Sequence, residues 1–163
     1  MEEREIKVRY TIYQSLEELS KEDQLLLEKA KNATKSAYAP YSCFNVGAAI
    51  LLENGIIVTG NNQENAAYPS GLCAERVAMF AASSQYPNIP MKAMAITANS
   101  EKFEVNFPIS PCGSCRQVMS EYETKQNQPM KIILMGNKGD IQVINTIAGL
   151  LPFMFHADEL KQK

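Results

Sequence analysis

Cys73-Ala74-Glu75-Arg76 and Pro111-Cys112-Gly113-Ser114-Cys115-Arg116 are the two phrases on which the reading of this chain turns. Each stands where a loop passes into a segment of helical periodicity. A helix start presents unpaired N–H groups and the positive end of the helix dipole, which favours a cysteine as its thiolate. Pro111 suits such a start because its nitrogen needs no hydrogen bond. Two starts brought face to face collect three sulfurs at one point. Three thiolates can hold a zinc ion and leave its fourth position open, as a catalytic site does and a structural site does not. Glu75, two residues from Cys73, can reach that opening without binding the metal.

Outward from these phrases, the spacing predicts one helix from Cys73 to Pro87 through Val77, Ala78, Phe80 and Ala81, and another beginning at Cys112. Apolar runs at 44–53 and 55–60 read as strands joined by the hairpin signal Glu53-Asn54-Gly55. Further strands are expected at 91–98, 130–135 and 140–144, the last two around Gly136-Asn137-Lys138-Gly139, with a short helix or two after them. Ser20, followed by Asp23, can cap a helix whose apolar face is Leu25, Leu26, Leu27, Ala30, Ala33 and Ala37, ended by Ala39-Pro40. Ile6, Val8, Tyr10 and Ile12 alternate along residues 5–13, the period of a strand. We read residues 1–14 as a strand extension that adds to a sheet edge or an interface. Strands alternating with helices make this an α/β chain with helices packed on a sheet, organised as one domain over 1–163.

Composition narrows the function. The 163 residues are 45% hydrophobic with a net charge of −2, and the pI is near 5.5. No dense Lys/Arg run is present, which disfavours nucleic acid as the main ligand. No apolar stretch approaches membrane-spanning length. Met1-Glu2-Glu3-Arg4 has no apolar core behind it, so no signal peptide is expected and a reducing cytoplasm is the default. There, Cys-x-x-Cys is metal-binding or redox-active more often than a disulfide.

A thioredoxin-like redox pair would leave Cys73 and Glu75 unexplained. A closed zinc site would need Cys43 or His156 as fourth ligand. Cys43 reads as a buried small residue at a strand start, and His156 as a surface residue near Asp158 and Glu159. Three thiolates overcompensate Zn²⁺, so positive neighbours are expected. Arg76 and Arg116 are placed for this, and at least one should donate to a ligand sulfur. Both could instead be ordinary helix-surface arginines.

A first ligand, a Glu two residues on and a later Pro-Cys-x-x-Cys is the pattern of zinc-dependent base deaminases. More of the chain resembles the small cytidine deaminases. Tyr38-Ala39-Pro40-Tyr41-Ser42-Cys43-Phe44-Asn45-Val46-Gly47 is similar to their first core strand, and Asn62-Gln63-Glu64-Asn65 to their ribose motif. Leu150-Leu151-Pro152-Phe153-Met154-Phe155 is similar to their C-terminal motif. The resemblance spans about residues 15 to 160, with all motifs in matching order. Asn45, where many members carry proline, and Cys43, where a polar residue is common, depart from it.

The resemblance implies a three-layer α/β/α cytidine-deaminase-like fold with a mixed central sheet. It also implies zinc-dependent hydrolysis of free cytidine and deoxycytidine to uridine and deoxyuridine, releasing ammonia for pyrimidine salvage. It makes Cys73, Cys112 and Cys115 the ligands of one Zn²⁺ per subunit and Glu75 the proton shuttle. Asn62 and Glu64 would hold the ribose 3′-hydroxyl, and Phe44 and Ala74 would line the substrate pocket. Tyr68 and Phe155 would serve sites shared between neighbours in a homotetramer. On the residues alone, Asn62 and Glu64 could equally shape a loop, and Phe44 could be plain core. A nucleoside-antibiotic deaminase, a polynucleotide-editing deaminase and a zinc-stabilised interaction protein without turnover are the competing readings.

Overall fold

Ala48, Ile50 and Leu52 point to one side of their strand and Ala49 and Leu51 to the other, and all five are buried. A strand apolar on both faces needs cover on both faces. A computed structural model describes residues 1–156; Asp158 and Glu159 lie outside the described residues. One six-stranded sheet runs in the order β1-β6-β5-β4-β2-β3. Its strands are β1 (Thr11–Tyr13), β2 (Phe44–Leu52), β3 (Ile57–Asn61), β4 (Met91–Ser100), β5 (Lys131–Met135) and β6 (Ile141–Ile144). All neighbours are antiparallel except β4 and β5. That parallel pair requires a crossover, which α3 (Gly113–Gln126) occupies.

The helices α1 (Lys21–Ala33) and α2 (Ala74–Gln85) are divided by the sheet. Leu26, Leu27 and Ala30 of α1 pack on Ala49, Leu51, Ala95 and Ile133. On the opposite face, Ala78 and Met79 of α2 and Cys115 and Met119 of α3 pack on Ala48, Ile50, Ile96 and Leu134. The expected α/β/α layering and mixed sheet are present.

Two glycines on neighbouring strands set the spacing of these layers. A Cβ on Gly47 would collide with the Ala30 carbonyl of α1, and one on Gly60 would stand 2.5 Å from Ala78 N and 2.6 Å from Ala74 O. The backbones of α1 and α2 therefore lie directly against the β2–β3 hairpin, which the absence of a side chain allows.

Some expectations are corrected. Residues 5–13 do not form a strand throughout: only Thr11–Tyr13 pair with β6. The alternating pattern continues back to Ile6, but the ladder stops at Thr11–Val143 and β6 runs only one residue beyond it, to Ile144. Leu25 is 45% exposed rather than part of the α1 core. That helix stops at Ala33, before Ala37, where Thr34 Oγ1 donates to Lys31 O at 2.8 Å. Cys43 is half-buried rather than buried and takes a left-handed φ of 56° just before β2. His156 is exposed.

Candidate active site

Cys73 and Cys112 occupy equivalent places, each the residue before the first turn of its helix and each in extended backbone. Cys115 follows one turn inside α3 and is fully buried, whereas Cys112 is exposed. The three Sγ atoms lie within 4.8 Å of one another. Cys73 Sγ to Cys112 Sγ is 3.8 Å, and Cys112 Sγ to Cys115 Sγ is 3.5 Å. Sulfurs about 2.3 Å from a tetrahedral zinc stand about 3.8 Å apart. The donor set fits that ion in both chemistry and spacing, and no fourth His, Cys, Asp or Glu joins the group among the described residues.

The surroundings favour negative charge on sulfur. Arg76 Nη2 donates to Cys73 Sγ at 3.8 Å, and Arg76 Nε is buried with no hydrogen-bond partner among the described residues. The Cys73 thiol is held down to about 5, first by a hydrogen bond from Cys115 and then by Arg76. Cys115, as the donor in that pair and deeper in the protein, is pushed up.

Glu75 is 4% exposed. Its burial raises its pKa above the ordinary carboxylate range, and the nearby Cys73 charge adds to that. Its own backbone N–H and the Cys115 thiol pull the other way. A carboxyl raised in this manner holds a proton more readily than an exposed one and can both accept and return it.

Arg116, in the equivalent setting on α3, does something different. Its Nε donates to Pro111 O and its Nη1 to Leu150 O, both at 2.9 Å. Gln117 Nε2 donates to Phe155 O at 3.0 Å, and Ser120 Oγ meets Met154 Sδ at 3.1 Å. One side of α3 therefore holds the segment 150–155 against the loop that carries Cys112. No residue pattern signals this, because a guanidinium reaching a carbonyl far along the chain leaves no local trace.

Three sequence phrases meet beside the sulfurs. Tyr38 bridges Gln63, and Gln63 bridges Leu72. This short backbone ladder aligns the Tyr38–Ser42 turn, the Asn62–Glu64 segment and the approach to Cys73. Asn62 uses its amide to clip β2: Oδ1 accepts from Val46 N at 2.8 Å and Nδ2 donates to Phe44 O at 2.9 Å. Glu64 Oε2 accepts from Tyr41 N at 2.9 Å and Ser42 N at 3.2 Å. Its carboxyl is held below the usual range, most strongly by the Ser42 side chain.

An open cleft of about 790 Å³ lies over this ladder, and Glu64, Tyr68, Cys73 and Arg76 line it. Ala74 is buried one step inside α2. Tyr41, Ser42, Gln63 and Ser114 also line the cleft and were not singled out from the sequence. The place of Ser114, between two ligand cysteines, was the available signal. Phe44 and Phe155 do not line it. Phe44 stacks on Phe103 with ring centroids 6.0 Å apart, and Phe155 is 63% exposed. Tyr68, at the rim, is 92% exposed.

Known proteins share this arrangement. Residues 20–129 match the family model described as the cytidine and deoxycytidylate deaminase zinc-binding region. A cytidine deaminase of Sporosarcina psychrophila is 44% identical over 83% of this chain and 92% of its own length. One from Halalkalibacterium halodurans is 41% identical over 84% and 96%. The crystal structure of the Burkholderia pseudomallei cytidine deaminase superposes with a TM-score of 0.70 at 39% identity, over 80% of this chain and 97% of that one. With sulfurs, buried carboxyl and sheet order in place, the chain belongs to the cytidine and deoxycytidylate deaminase family of zinc-binding proteins.

Proposed function

We propose that this chain is a hydrolase that deaminates free cytidine and deoxycytidine, yielding the uridine nucleosides and ammonia. The observation that carries this reading is a buried carboxyl, Glu75, directly beside three sulfurs at zinc-binding distances. Cys73, Cys112 and Cys115 would hold the ion. When bound, zinc supplies Lewis acidity that brings water to a nucleophilic state near neutral pH.

The chain's own groups account for the remaining chemistry. Glu75 takes one proton from water as its oxygen bonds to the amine-bearing ring carbon and passes it to the ring nitrogen. It then takes the second proton, from the hydroxyl so formed, and gives it to the amine as the carbon–nitrogen bond breaks and ammonia leaves. Arg76 lowers the negative charge on Cys73 through its hydrogen bond, which keeps the sulfur cluster from overwhelming the ion's positive charge. Glu64, fixed by the Tyr41 and Ser42 N–H groups, offers an acceptor to a ribose hydroxyl. Asn62 holds β2 at the pocket wall and presents its remaining amide valence to the same hydroxyl. A sugar without that hydroxyl leaves these groups unpaired. A 3′-phosphate meets the Glu64 charge, so free nucleosides are accepted and polynucleotide is refused.

Ala74, next to Glu75, fits the role of a base-pocket wall; Phe44, stacked on Phe103 in this arrangement, would have to turn toward the cleft to serve as one. Tyr68 and Phe155, exposed in a single copy, fit a homotetramer in which neighbours complete one another's sites. The absence of a membrane-crossing helix among the described residues is compatible with the cytoplasm, the compartment in which pyrimidine salvage would use this activity.

Purified protein incubated with cytidine should lower the ultraviolet absorbance of the cytosine ring while releasing ammonia, with one zinc per chain by metal analysis. Protein loaded with zinc but inert toward both nucleosides would refute the proposal.

A further inference from the structure

β1 is an outer strand of the sheet, and among the described residues only β6 pairs with it. Among the described residues, no interstrand or loop backbone hydrogen bond involves residues 1–10. An outer strand with free N–H and C=O groups is a template for another strand. On one face of the leading segment, Ile6, Val8, Tyr10 and Ile12 are 52, 42, 57 and 44% exposed. The other face reads Glu3, Glu5, Lys7, Arg9, acidic in its first half and basic in its second. The ion pairs Arg4–Glu2 and Lys7–Glu5 join residues two apart, the spacing at which side chains share a face of an extended chain.

We infer that this segment pairs antiparallel with the same segment of a second copy, about a twofold axis at Ile6. In that register Glu3 lies opposite Arg9 of the second copy, Glu5 opposite Lys7, and Ile6 opposite Ile6. The symmetry repeats both charge pairs, so every charged residue on that face meets its opposite. Slipping by two residues one way puts Lys7 opposite Lys7; slipping the other way puts Glu5 opposite Glu5. Parallel in-register pairing stacks like on like throughout. Opposite charges across a ladder stabilise it and like charges oppose it, so the sequence selects one direction and one register. The Arg4–Glu2 and Lys7–Glu5 pairs are exposed and cost little to exchange for cross-strand partners. The two sheets become continuous through their β1 edges, and the apolar residues of both copies lie side by side on one face.

The test uses the full-length zinc protein. In this register Ile6→Cys places two thiols directly opposite, at a Cα separation within disulfide range. Val8→Cys places them about 13 Å apart. Mild oxidation should yield a covalent dimer with Ile6→Cys, far above the Val8→Cys and unsubstituted backgrounds. By light scattering, deleting residues 1–9 should lower the mass of the assembly. Glu3→Lys with Glu5→Lys should lower it as well, and adding Lys7→Glu with Arg9→Glu should restore it. Equal cross-linking at positions 6 and 8, or no recovery in the fourfold charge swap, overturns the proposal.

Discussion

The starts of α2 and α3 are built alike and put to different use. Each has a cysteine just ahead of the first turn and an arginine within the next turn. At α2 the arginine turns to sulfur, and the first turn also carries the buried Glu75. At α3 the arginine turns away from sulfur to the Pro111 and Leu150 carbonyls. The backbones differ too. The start of α2 is pressed against β3 at Gly60, whereas a Cβ on Gly113, at the start of α3, would meet nothing within 4 Å. One helix start therefore carries the buried carboxyl on a close-packed seat. The other supplies two sulfurs and ties down the segment 150–155. Similar local sequence does not settle division of labour; the partner that lies across from each side chain does.

The sharpest probe of that division is Glu75→Gln. It removes the proton carrier while leaving the sulfurs and the helix, so zinc content and fold should persist while turnover falls by about 10²–10⁴-fold or more. Retained turnover, followed by absorbance, would strip α2 of its special role. The next effect separates the arginines. Arg76→Gln should weaken zinc binding about 10–100-fold in a competition titration with a chelator. Arg116→Gln should instead show as faster amide hydrogen exchange across 150–155. Equal zinc losses in the two variants would erase the contrast.

Smaller effects test the backbone seat. Gly60→Ala forces β3 and α2 apart and should cost about 1–3 kcal/mol in denaturant unfolding, with a matching loss of activity. Gly113→Ala has open space and a helical backbone, so it should be neutral or raise stability by about 0.4–1 kcal/mol. If both alanines behave alike, the two helix starts are equally seated.

Much of this was legible in residues because the signals are local. Glu53-Asn54-Gly55 marks the hairpin, and Gly55 has the positive φ of 82° that such a turn needs. The cap at Ser20 is real, with Oγ accepting from Asp23 N at 3.1 Å. The two cysteine phrases foretold helix starts because a thiol and a proline there have local physical reasons. What escaped the sequence depends on distant partners. The pattern Ile6-Val8-Tyr10-Ile12 states a preference for extended backbone, but pairing also needs a neighbour of equal length, and β6 is four residues long. Asn62 reads as a turn residue until Val46 N and Phe44 O are found across from it. Cys43 reads as small and apolar, yet its place is set by a left-handed turn rather than by packing.

Gly47 and Gly60 stand almost side by side on the β2–β3 hairpin, Gly47 opposite Asn61 and Ala48 opposite Gly60, and each admits the backbone of a different helix layer. The Glu75 carboxyl thus inherits its location from main chain resting on main chain, with few adaptable rotamers in between. Interior side chains of this chain can be exchanged without displacing that carboxyl, provided these two glycine hydrogens are not replaced.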